Sequence, residues 1–140
     1  MNVLIIGRGR VGNGLRRSLE ASDTLEVSAT GRRYRPSRVA AADAIVLAVS
    51  DGSITSVARA IAPNLKRGAT VLHCAGALGA DELEACRASG AAVGVMHPLV
   101  SFASKQRSPS LRGTTFTVNG SRRAVATSRR IAKACGARVV

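Results

Sequence analysis

Aromatic side chains are almost missing. The 140 residues hold no Trp, one Tyr (Tyr34) and two Phe (Phe102, Phe116), so a core can be built only from the aliphatic residues that dominate a 46% hydrophobic composition. The same scarcity weighs against a nucleic-acid platform, which needs aromatic faces for bases to stack on. Acids are scarce as well. Eight stand against 21 Lys and Arg, for a net charge of +13, and only Lys66, Lys105 and Lys133 are lysines. A field of that sign attracts polyanions such as nucleic acid, anionic membrane or phosphorylated small molecules. Arginine enrichment also follows from genomic composition and a solvated surface, so charge alone names no partner. The three cysteines (Cys74, Cys86, Cys135) form no CxxC and no zinc spacing, which fits a reduced, cytoplasmic setting and no metal site. No apolar run approaches the roughly 18 residues of a membrane span. The apolar start, residues 3–6, is too short for a signal peptide.

The length suits one domain over residues 1–140. Residues 3–6 (VLII) are wholly apolar, as in a strand buried on both faces. A glycine-rich turn follows, then residues 11–21, where Val11, Leu15 and Leu19 recur at helical spacing. Further strands are expected at 25–29, 44–49, 69–74, 91–96 and 114–118, with a start of one more in the final ARVV. Helices are expected around 37–42 and at 53–62, 80–89 and 121–135, and an irregular segment runs from His97 to Gly113. Strands alternating with helices of about ten residues predict an α/β fold: a doubly wound, mostly parallel sheet with helices on both faces, of Rossmann type.

The turn after the first strand reads Gly7-Arg8-Gly9-Arg10-Val11-Gly12. GxGxxG is a weak signal alone, but here it follows a buried strand and opens a helix. The first glycine allows the tight turn, the second lets a pyrophosphate approach the backbone, and the third lets helix and strand pack closely. The helix N-terminus then offers free N–H groups and a positive dipole end. An NAD site usually carries an acid about 20 residues further on, to hold the ribose 2′-hydroxyl. No acid occurs between Glu26 and Asp43, and the second strand ends instead in Thr30-Gly31-Arg32-Arg33. Guanidinium groups suit a 2′-phosphate, which they grip by charge-assisted hydrogen bonds. NADP(H) is therefore expected in preference to NAD(H), with Arg8 in reach of the same area. Of Arg32, Arg33, Arg35 and Arg38, at least two are expected to be solvated surface.

Ligands of open α/β sheets sit beyond the carboxyl ends of the strands. Three such ends carry polar or flexible residues: Val49-Ser50-Asp51, His73-Cys74-Ala75-Gly76 and His97-Pro98. His97 is the candidate to pass a proton to a carbonyl or imine, or to hold a substrate carboxylate. His73 reads as structural, Cys74 as a small packing residue, and Asp51 as a helix N-cap.

Together the segments GRGRVG, AVSDGSI, HCAGALGADEL and GVMHPLVSFA resemble the N-terminal domain of the Rossmann-like/DUF2520 family, within the superfamily of 6-phosphogluconate-dehydrogenase-like reductases. Its relatives include pyrroline-5-carboxylate reductase, prephenate dehydrogenase, ketopantoate-type reductases and F420-dependent NADP reductase. The resemblance covers nearly the whole chain. It implies NADP(H) binding through Gly7, Gly9, Arg10, Val11 and Gly12, with the ribose phosphate near Thr30, Arg32 and Arg33. Ala48, Val49 and Ser50 would lie along the dinucleotide, Ala75 and Gly76 near the nicotinamide, and His97 and Pro98 on the substrate side. It also implies a helical C-terminal domain, which this sequence does not contain, with homodimerisation mainly through that domain. The resulting expectation is the cofactor half of an oxidoreductase acting on a small carbonyl or imine substrate. The alternatives are a non-catalytic dinucleotide-binding regulatory module and an F420-linked cofactor chemistry.

Overall fold

A computed structural model describes residues 1–100 and 110–140. Most of the expected irregular segment, and the end of the HPLVSF motif, lie outside the described residues. The chain alternates β1 (Asn2–Ile6), α1 (Arg10–Leu19), β2 (Glu26–Thr30), α2 (Pro36–Ala41), β3 (Ala44–Leu47), α3 (Ile54–Ile61), β4 (Thr70–His73), α4 (Glu84–Ala88), β5 (Ala92–Pro98), β6 (Thr115–Gly120), α5 (Arg122–Ala134) and β7 (Arg138–Val139). Short 3-10 turns flank α3 and precede α4.

The seven strands form one sheet in the order β2-β1-β3-β4-β5-β6-β7. β1 to β5 are parallel, β6 runs antiparallel to β5, and β7 is parallel to β6. Because successive strand residues point to opposite faces, each all-apolar strand feeds two cores. Val3, Ile5 and Val46 pack with Leu15 and Leu19 of α1 and Ile131 of α5 on one face. Leu4, Ile6, Ile45 and Leu47 pack with Ile54, Val57 and Ile61 of α3, and with Val39 and Leu83, on the other. The chain is thus a three-layer, Rossmann-type α/β fold. Phe116, one of the few aromatics, is fully buried in the first core. Among the described residues no helix is long and apolar enough to cross a membrane.

Two boundaries differ from the sequence reading, with consequences for the site. β5 does not end at Met96 but runs on through His97 and Pro98, which pair with Thr117 and Phe116 of β6. Pro98 is tolerated because Leu99 turns its N–H to Thr115 of β6. The alternation of the strand then points the Pro98 nitrogen the other way, past the last β4 residue, where no ladder bond is lost. The expected helix at 80–89 is a 3-10 turn over Ala80–Leu83 followed by the single-turn α4.

The N-terminal edge of the sheet is pinned by Asp43. Its carboxylate accepts the backbone N–H of Asn2 at 2.7 Å and pairs with the Lys66 ammonium. These two contacts, the Asn2 N–H first, hold its pKa below the ordinary 3.8. A lowered folded-state pKa means stability that is present above the unfolded value and lost as pH falls through the folded one. Acid unfolding of the parent should therefore begin at higher pH than that of Asp43→Asn when each is normalised to its own neutral-pH stability. Superimposable normalised acid transitions would show that Asp43 contributes nothing.

Candidate cofactor and substrate site

The carboxyl ends of β1 and β3 part where the strand order reverses, since β1 continues through α1 to β2 on one side while β3 lies on the other. In doubly wound sheets this switch point is where a crevice opens. Gly7 sits in it with φ of +129°, its N–H bonded to the Thr30 carbonyl at 2.8 Å. A Cβ at Gly7 would overlap the Ala48 carbonyl oxygen, and one at Gly12 would overlap the Gly7 carbonyl. These two glycines are demanded by the packing of β1, β3 and α1. Gly9 is different. It is the N-cap of α1 in extended conformation (φ −77°, ψ −166°), and a Cβ there would meet nothing within 4 Å. Space over Gly9 is open to a ligand, directly above the N-terminal turn of a ten-residue helix, whose N–H groups point that way.

That space belongs to a cavity of about 420 Å³ lined by Gly9, Arg10, Val11, Ala48, Val49, Ser50, Asp51, Cys74 and Ala75. The sequence-predicted residues from the first and third strand ends thus come together, with Ala75 from the fourth. Asp51 does not act as the expected cap. It opens a 3-10 turn, and the N-cap positions Ser50 and Ser53 bond each other at 2.8 Å without capping through their side chains. The turn interposed before α3 leaves the Asp51 carboxylate exposed on the cavity wall. Cys74 is a wall residue too, but burial pushes its thiol up to about 12. It stays a neutral thiol at physiological pH, in line with a packing role.

A second cavity, of about 600 Å³, opens beyond β2 and is lined by Thr30, Arg33, Tyr34, Arg35, Ser37 and Arg38. The expected Thr30–Arg33 cluster is only partly realised. Thr30 is 3% exposed and its hydroxyl donates to the Arg33 carbonyl at 3.2 Å, so it shapes the loop. Arg33 reaches the cavity, whereas Arg32 is exposed and lines neither cavity. Arg8 lies against Gly31, 3.8 Å from where a Cβ there would be, beside the end of β2. Sequence reasoning gives no role to Tyr34 and Ser37, and it names Arg35 and Arg38 only among four loop arginines of which at least two are expected to be solvated surface. Pro36 was the available signal: proline favours the first helical position, which starts α2 there and turns Ser37 and Arg38 back over the end of β2. The Arg38 guanidinium is steadied by the Ala29 carbonyl at 3.4 Å. Burial raises the pKa of Tyr34, keeping its phenol neutral beside three arginines.

The two histidines occupy contrasting environments. His73 is fully buried, its Nε2 donates to the Gly79 carbonyl at 2.8 Å, and its Nδ1 accepts the Ala75 N–H at 3.1 Å. Both nitrogens are used, so the ring staples the loop after β4 to the sheet. His73→Leu should strand a buried N–H and lower stability by at least about 2 kcal/mol. Urea unfolding with an unchanged slope and an earlier midpoint is the expected record. His97 is half-buried, and its Nδ1 donates to the Cys74 carbonyl at 2.9 Å. This bond fixes the tautomer and leaves Nε2 as the working nitrogen. Gly76 makes the placement feasible, because a Cβ there would lie 2.7 Å from Nε2 and Cδ2. Among the described residues no cluster of three or more His, Cys, Asp and Glu is arranged to hold a metal ion.

No protein-family model and no curated protein matches the sequence. Solved structures do match. The arogenate dehydrogenase of Synechocystis superimposes on the whole chain with a TM-score of 0.82 at 15% identity, the chain spanning 59% of its length. Prephenate dehydrogenase from Aquifex aeolicus, in complex with hydroxyphenyl propionate and NAD+, matches the whole chain with a TM-score of 0.76 at 16% identity, over 59% of its own length. Pyrroline carboxylate reductase from Plasmodium falciparum, with NADP bound, gives a TM-score of 0.75 at 17% identity, again over the whole chain and 57% of that protein. The fold is therefore the Rossmann-type fold of these dehydrogenases and reductases. The chain spans less than two thirds of the length of each.

Proposed function

We propose that this chain is the NADP(H)-binding domain of an oxidoreductase that moves hydride to or from a small carbonyl or imine compound. The observation that carries the reading is the open backbone at Gly9, at the head of α1 and inside the crevice between β1 and β3. A pyrophosphate fits that cradle, because its charge meets helix N–H groups and no side chain obstructs it. The arginine-lined cavity beyond β2 fits a 2′-phosphate, and no acid between Glu26 and Asp43 competes for the ribose. NADP is therefore favoured over NAD. When bound, the nicotinamide supplies or takes the hydride.

The chain's own residues do the rest. Gly9 and the first turn of α1 hold the phosphates. Ala48, Val49 and Ser50 form a wall along the dinucleotide, and Ala75 and Gly76 approach its far end. His97, with Nδ1 committed to Cys74, turns Nε2 to the substrate side, where it takes up the proton that the substrate oxygen or nitrogen loses on oxidation and returns it on reduction. The HCAGALGADEL and GVMHPLVSFA segments support the narrower reading of a DUF2520-like reductase.

Calorimetry with NADPH, NADH and reduced F420 in parallel tests the cofactor, and NADPH oxidation against a panel of keto acids and cyclic imines tests the reaction. Tight NADPH binding is expected, weaker NADH binding, and no F420 binding. Failure of both nicotinamide cofactors to bind would overturn the reading. Tight NADPH binding with no oxidation across the panel would instead favour a regulatory module.

A further inference from the structure

Acids and bases are segregated along this chain. All eight acids lie at or before Glu84, and the last 56 residues carry ten Lys and Arg with no acid. A genomic bias toward arginine would spread bases along the chain, but it would not empty one part of acids. The fold gathers half of these bases on α5, which packs its apolar side on β4 to β7, on the sheet face opposite α3. Six residues of α5 are exposed: Arg122, Arg123, Ala126, Arg129, Arg130 and Lys133. At about 100° per residue they share roughly 120° of arc, so the outward face is five cations around one methyl group. None of the five is among the ion pairs of the described residues. Arg123 donates to the Ala69 carbonyl at 3.3 Å, and Arg130 lies 4.0 Å from the Met1 sulfur. The helix gains no stability from this arrangement of charge. Arg122 and Arg123 occupy the first turn, where the helix dipole disfavours cations. Lys133 stands four residues from Arg129 and three from Arg130, spacings at which like charges repel.

We infer that the outward face of α5 docks the phosphate backbone of double-stranded DNA, without regard to sequence. The inference is independent of the cofactor reading. Charge comes first. B-form DNA carries one negative charge per about 1.7 Å of axis, and the row from Arg122 to Lys133 is about 16 Å long, enough to face several phosphates. Chemistry comes second. Four of the five cations are arginines, whose planar fork pairs bidentately with phosphate oxygens. Such contacts hold the duplex but carry no sequence information. What the face lacks decides between polyanions. It has no Trp, Phe or Leu to sink into a headgroup layer, as a helix lying on a membrane requires. It has no large apolar centre for a protein partner to bury. It has no aromatic ring for the bases of a single strand, and a duplex asks for none because its bases stay stacked inside.

A fluorescent DNA duplex of mixed sequence, about two helical turns long, is titrated with the protein between about 50 and 200 mM salt. Affinity is expected to fall with salt at a log–log slope of about −3.6, the counterion release of roughly four phosphates met by Arg122, Arg129, Arg130 and Lys133. Arg129→Gln/Lys133→Gln should halve that slope and weaken binding at about 50 mM by about a hundredfold. It should melt no lower than the parent, since it loses a like-charge pair. Arg32→Gln/Arg59→Gln removes the same net charge from exposed positions beyond β2 and on α3, and should keep the parent slope. A duplex of shuffled sequence should bind like the first. The inference is overturned if the duplex does not bind, or if the Arg32/Arg59 pair weakens binding as much as the α5 pair, which would reduce the effect to net charge. Polyglutamate, or vesicles of phosphatidylserine and phosphatidylcholine, binding as tightly as the duplex would overturn it too. So would an α5 variant that melts below the parent, because the cations would then serve the fold.

Discussion

Gly9→Val is expected to abolish NADPH binding while leaving the protein folded, and Gly7→Ala to destabilise the fold itself. The two positions stand two residues apart in one loop, yet physics separates them. Gly9 already holds β-region angles, and a Cβ there meets nothing. Valine adopts such angles readily, and losing glycine as the N-cap costs at most about 1 kcal/mol. The branched side chain then fills the space where a pyrophosphate has to reach the N–H groups of α1. Losing even two charge-assisted hydrogen bonds there lowers affinity by about a hundredfold or more. Gly7 combines φ of +129° with a Cβ position that overlaps the Ala48 carbonyl. Alanine there has to move β3 away from β1, at a cost of about 3 kcal/mol or more. Thermal melts and calorimetry on both variants check the contrast. Unchanged NADPH affinity in a folded Gly9→Val protein would remove the basis of the cofactor assignment.

Much of this loop was legible because local rules and the global fold agree on it. A buried strand must be apolar on both faces, so VLII and AIVL announce β1 and β3. The glycine spacing then has one geometric solution between a strand and a helix. Legibility failed where a residue's role depends on what stands across from it. Pro98 reads as a breaker in the sequence, but the neighbouring strand β4 ends before it, so its missing N–H costs nothing and β5 continues. The reversed direction of β6 leaves no mark in a stretch such as TTFTV. Thr30 looked like a ligand donor, yet a hydroxyl cannot advertise whether it serves a ligand or, as here, the carbonyl of Arg33 three residues on.

The arginines beyond β2 pose the same problem in a form that experiment can resolve. Four of them fall between Arg32 and Arg38, and the turn into α2 selects which face the cavity: Arg33, Arg35 and Arg38 do, and Arg32 does not. The double variant Arg33→Ala/Arg35→Ala should lower NADPH affinity by about a hundredfold and NADH affinity by less than about threefold. The estimate takes roughly 1.5 kcal/mol for each charge-assisted contact to the 2′-phosphate, a group that NADH lacks. Both side chains are exposed and neither is among the ion pairs of the described residues, so the fold should hardly notice their loss. Arg38 is left in place because it also steadies the Ala29 carbonyl. Arg32→Ala is the internal control and should change neither affinity by more than about threefold, since its side chain lies outside the cavity and an exposed charge acts weakly at a distance. Salt gives an independent check. Solvent-accessible phosphate contacts are screened, with the Debye length falling from about 10 Å at 0.1 M to about 3 Å at 1 M. NADPH binding to the parent should therefore weaken with salt more steeply than NADH binding, and the double variant should lose that difference. Equal affinity of the parent for the two cofactors, or a double variant that keeps its preference for NADPH, would place the 2′-phosphate elsewhere and strip the arginine cavity of its role.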